Sequence, residues 1–132
     1  MWIDLEMGRR AMLERLRALG LVDEQISDGF LFVQPDEPLT DEVRGDLDGL
    51  LGIHSPVIVV IDSSTPALEL HGFDPMSGRD VQGFQRAVIE PLRQHGAAIL
   101  QLDHLTKAKD RRGRFAVGSE RKLGVADVHL GT

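Results

Sequence analysis

The sequence predicts an α/β domain with a mainly parallel sheet and flanking helices. Three observations carry that expectation. Short apolar runs alternate with stretches of helical period, the order that right-handed β-α-β crossovers produce. The run Val57-Ile58-Val59-Val60-Ile61 has no polar alternation, which marks a strand covered on both faces. Three of the apolar runs end in carboxylates, hydroxyls or an imidazole, at the rim where parallel α/β sheets place ligands.

The elements follow in chain order. Met1 to Leu5 reads as a short strand. Residues 9–19 put Met12, Leu13, Leu16 and Leu19 on one helical face, and Gly20 supplies a stop. Phe30 to Val33 is a second, weaker strand, followed by a loop with Pro35 and Pro38. Thr40 is placed to cap a helix reaching about Leu51, with Asp41 and Glu42 in the first turn, where the helix dipole favours them. Val57 to Ile61 is the buried third strand, and Phe73 to Asp80, with Pro75 and Gly78, is a loop. A long helix from about Asp80 aligns Val81, Phe84, Val88, Ile89 and Leu92, with a kink expected at Pro91 and an end at Gly96. Ala97 to Leu102 is another buried strand and Val125 to Leu130 a last one.

At 132 residues and 14.6 kDa the chain is a single domain, 1–132, long enough to bury a core. Without cysteine it has neither disulfides nor a thiolate metal site. The longest apolar run is far too short to span a bilayer, and the start has no basic leader, so no membrane role and a cytoplasmic location are expected. The net charge of −6 excludes a protein that coats nucleic acid over its whole surface. The charge is graded, however. Residues 1–56 carry 12 acidic and 5 basic side chains, whereas residues 107–132 carry 7 basic and 3 acidic, so any polyanion is expected at the C-terminal quarter.

The polar residues that follow the strands are Glu6, Asp62-Ser63-Ser64 and Asp103-His104. An apolar run ending in Asp is what a Walker B motif needs, because its carboxylate holds a hydrated magnesium ion beside nucleotide phosphates. A strand-end aspartate also serves simply to cap the next helix, a glutamate to start one, and a histidine to bond a neighbouring carbonyl. The five histidines are scattered and make no metal-binding pair.

Taken together these motifs resemble a known family. Trp2-Ile3-Asp4-Leu5-Glu6-Met7 with its Arg-rich helix resembles the second core strand of RecA-like and DnaB-like ATPases, and Val57 to Asp62 their Walker B strand. His104-Leu105-Thr106-Lys107 is similar to the run that follows the next strand in RepA-type hexameric helicases. Gly118-Ser119 leading to Ala126-Asp127 is similar to the segment that opens the family's last strand. The resemblance spans nearly the whole chain. It implies a RecA-like P-loop NTPase core, with Glu6 polarising the attacking water and His104 sensing the γ-phosphate. Asp62 and Ser63 would lie beside the nucleotide, Asp62 holding Mg2+ through water, with ATP as the nucleotide of the complete fold. It also implies that Lys107, Lys109, Arg111, Arg112 and Arg114, beside Phe115, contact single-stranded DNA by neutralising phosphates. Partner chains in an ATPase ring or homo-oligomer belong to the same expectation.

One departure stands against it. The P-loop, Gly-x-x-x-x-Gly-Lys-Ser/Thr, is missing, and no Gly-Lys dipeptide occurs. In the family that motif precedes the strand represented here by Met1 to Leu5, so the chain starts too late to hold it. Its strand lies between those assigned to 97–102 and 125–130, whose edges are then unpaired. Another chain supplies the part, the sheet closes up, or the chain is a fragment. Three functions are therefore carried forward: a partial core of a replication or recombination ATPase or helicase, inactive alone and then without cofactor; a non-catalytic module on the same scaffold; and an unrelated α/β protein with structural strand-end carboxylates.

Overall fold

The computed structural model describes residues 1–103. The strand expected over 125–130, Asp127, His104 and the basic residues Lys107, Lys109, Arg111, Arg112 and Arg114 lie outside the described residues.

Four short strands, β1 (Trp2–Asp4), β2 (Phe32–Val33), β3 (Ile58–Asp62) and β4 (Ala98–Gln101), pair in the order β2-β1-β3-β4. Every pair is parallel, so the expected α/β class holds. β1 and β3 are interior, with Trp2 level with Val60 and Asp4 level with Asp62. On the other side of β3, Val59 is level with Ile99 and Ile61 with Gln101.

The helices are α1 (Arg9–Ala18), α2 (Asp23–Gly29), α3 (Asp41–His54), α4 (Ser64–Leu70), α5 (Gly78–Phe84) and α6 (Glu90–Gln94). Thr40 caps α3 as expected, its Oγ1 accepting from the Val43 N–H at 3.3 Å. Ser77 does the same for the Asp80 N–H at the start of α5, so that helix begins slightly before the sequence pattern indicates.

The core forms on one face of β3. Val59 and Ile61, two apart, share that face and pack with Leu51 of α3, Ala67 and Leu68 of α4, and the run Val81, Phe84, Val88, Ile89 and Leu92. All five residues of that run are buried, as their spacing predicts. Phe84 and Leu92 have no exposed surface, and each contributes about 1.5–3 kcal/mol by leaving water.

The expected kink at Pro91 takes a specific form. Between α5 and α6 the helix widens into a π turn, Gln85–Ile89. Proline has no amide with which to continue the backbone ladder. Beside this break in the ladder, Arg44 of α3 reaches across to donate to the Ala87 carbonyl at 3.0 Å.

Four expectations are corrected. Leu19 is 78% exposed rather than on the buried face of α1, because the helix ends at Ala18 and Gly20 turns the chain with φ +93. The short helices α2 and α4 occupy stretches for which no element is expected. β4 is not covered on both faces: Ile99 packs on the core, but Leu100, facing the opposite way, is 44% exposed. Val57 and Ile58, at the amino end of the third strand, are exposed as well.

Candidate functional site

The carboxyl edge of the sheet gathers residues from three strands. β1 ends at Asp4, and the chain continues through Leu5, Glu6 and Met7 to Gly8, where φ +84 turns it into α1. β3 ends at Asp62 and passes through Ser63 into α4. The Asp62–Ser63 peptide bond is cis. β4 ends at Gln101, followed by Leu102 and Asp103.

Backbone bonds hold these three exits side by side. The Leu5 N–H donates to the Asp62 carbonyl at 2.7 Å, and the Leu102 N–H to the Ile61 carbonyl at 3.0 Å. The Ser64 N–H donates to the Leu102 carbonyl at 2.8 Å. Side chains add a second set of links. The Ser63 hydroxyl, 1% exposed, donates to Glu6 Oε1 at 2.6 Å. Such a length is typical of a hydroxyl bonded to an ionised carboxylate. The Thr65 hydroxyl donates to Asp103 Oδ1 at 3.2 Å, tying the start of α4 to the end of β4.

Of the predicted site residues, Glu6 and Ser63 are joined directly. Asp62 adjoins Ser63 and is level with Asp4 across the interior of the sheet. Glu6 and Asp62 therefore share one edge, with Asp62 on an interior strand. Asp103 arrives on the same rim.

Asp4 was not among the predicted site residues. It is fully buried, and its carboxylate accepts from the Met7 N–H at 3.2 Å and from the Gly8 N–H at 2.6 Å. A sequence signal was present: an aspartate just upstream of a glycine, the arrangement in which a carboxylate closes a turn onto backbone amides. The Thr65–Asp103 link has no such signal, because it joins residues 38 apart in the chain.

Chemically the rim carries the carboxylates of Glu6, Asp62 and Asp103 with the hydroxyls of Ser63 and Thr65, while the Asp4 carboxylate is turned onto its own backbone. Among the described residues no three His, Cys, Asp or Glu side chains cluster as a metal cage. Among them, too, no helix is long and apolar enough to cross a membrane. No protein-family model matches the chain, and no curated protein is significantly similar to it.

Proposed function

We propose that this rim is the hydrolytic half of an ATP site in a RecA-like core, derived from a replication or recombination ATPase or helicase. The observation that carries the reading is the Ser63–Glu6 hydrogen bond beside Asp62, at the carboxyl edge of an interior parallel strand pair. The bond from Ser63 fixes the direction of the Glu6 carboxylate at the mouth of the site. Glu6 then acts as the group that polarises the attacking water.

The donor set also fits magnesium. One strand-end carboxylate, Asp62, flanked by hydroxyls, matches an ion that keeps most of its waters and takes other ligands from phosphate. When bound, magnesium would neutralise charge on the phosphates. Ser63 would lie beside the nucleotide, and His104 would follow the β4 exit as the phosphate sensor.

Phosphate positioning by a P-loop is absent from these 132 residues, which hold no Gly-Lys dipeptide. The chain alone is accordingly inactive, and catalysis needs a cradle from elsewhere, in a ring or oligomer of cytoplasmic proteins. The same absence favours a second reading, a non-catalytic module that joins or regulates a complete ATPase. In both, the basic residues from Lys107 to Arg114 contact single-stranded DNA.

Phosphate release from the isolated chain with ATP and Mg2+ tests the first reading. The expected result is none above background, since a site without its cradle lacks most of its positioning and charge stabilisation. Steady release that disappears in Glu6→Gln would mean a complete site within these residues and would overturn the requirement for a second part.

A further inference from the structure

Glu6 lies on an arch between β1 and α1 that is pinned on both sides. Before it, the Leu5 N–H is fixed to the Asp62 carbonyl. After it, the Met7 and Gly8 amides converge on the Asp4 carboxylate, the shorter bond being 2.6 Å. Asp4 is fully buried, whereas Glu6, two residues on, is exposed and reaches Ser63. A buried ionised side chain is expensive unless hydrogen-bonded. Here the burial yields a definite geometry, because one carboxylate closes the turn Asp4–Gly8 and fixes the direction in which position 6 leaves it. An apolar residue at position 4 would fill the space but leave the Met7 and Gly8 amides without this acceptor.

We propose that Asp4 is a positioning residue: by clamping the Met7 and Gly8 amides it sets the Glu6 carboxylate against the Ser63 hydroxyl. This deepens the nucleotide-site reading and rests on it only for the purpose of the placement, not for the placement itself. Asp4 does not touch the reacting groups. It acts through the backbone of the arch.

The test is carboxyl-carbon NMR on the 132-residue chain labelled at glutamate, with the Glu6 resonance assigned by Glu6→Gln. Ser63→Ala marks where that resonance falls when the hydroxyl is gone. Asp4→Asn keeps the shape of the side chain but removes its charge and one acceptor oxygen. It should carry the Glu6 signal most of the way to the Ser63→Ala position. Val88→Ala, a cavity in the core far along the chain, serves as a control of reduced stability and should leave the signal in place. A folded Asp4→Asn chain whose Glu6 signal stays at the wild-type position overturns the proposal.

Hydrogen exchange on the wild-type chain keeps the test open if Asp4→Asn fails to fold. Met7 and Gly8 amides should exchange at least about tenfold more slowly than in an unstructured chain. Unprotected amides there overturn the clamp directly. A carboxyl shift as expected, with no ATP turnover even after a phosphate-binding loop is joined to the chain, supports the clamp and counts against the nucleotide reading alone.

Discussion

Replacing Glu6 by alanine should destabilise the chain more than its exposed position indicates. Exposed substitutions are usually within about 0.5 kcal/mol of neutral. Here the loss falls on Ser63, whose hydroxyl is buried at 1% exposure and donates to Glu6 at 2.6 Å. Leaving a buried donor without its acceptor costs about 1–3 kcal/mol. Ser63→Ala removes the donor instead and leaves no buried hydroxyl unsatisfied, so its cost is nearer about 0.5–1 kcal/mol. Once the hydroxyl is gone, Glu6→Ala no longer strands a buried donor. The double variant should thus be more stable than the sum of the singles predicts, by about 1 kcal/mol. Glu6→Gln keeps an acceptor oxygen and should lose less than Glu6→Ala. Urea unfolding followed by circular dichroism on the four chains gives the cycle. Additivity within about 0.3 kcal/mol would refute the direct link between Glu6 and Ser63.

Two further outcomes follow from the structure and a third from the charge of the C-terminal quarter. Arg44 donates to the Ala87 carbonyl beside the π turn, so Arg44→Met should destabilise the chain by about 1 kcal/mol, as urea midpoints will show. A Cβ added at Gly83 would stand 2.8 Å from the Phe73 ring, itself packed edge-on to Phe84, so Gly83→Ala should lower the melting temperature despite alanine's better helix propensity. Changing Arg111, Arg112 and Arg114 together to alanine should remove most single-stranded DNA binding with little effect on folding. In the unsubstituted chain that binding should be weak and fall steeply with salt, and equal salt titrations of the two chains by fluorescence would remove the DNA reading.

The strands and the long helix were legible because each carries its own pattern. Val59, Val60 and Ile61 announce a buried strand, and Val81 to Leu92 a buried helical face. The helices α2 and α4 were hidden by their length: seven residues each hold too few turns for a period to emerge, and α2 buries only Ile26. Pro66 in the first turn of α4 was a usable start signal. The exposure of Leu100 could not be read, because an apolar run looks alike whether or not its second face is covered. At the rim, the strand-end rule brought Glu6, Asp62 and Ser63 forward. Asp4 was passed over because the strand-end rule looks past the last strand residue, although Gly8 four residues on marked the turn that its carboxylate closes.

The most direct measurement supplies the missing cradle. A strand, a Gly-x-x-x-x-Gly-Lys-Ser/Thr loop and its helix are joined ahead of Met1, and ATP hydrolysis is followed with Mg2+ present and absent. The nucleotide-site account predicts magnesium-dependent turnover that Glu6→Gln lowers by about 10²–10⁴-fold and that Asp62→Asn also suppresses. A rate indifferent to both substitutions, or no turnover once the cradle is in place, would contradict it.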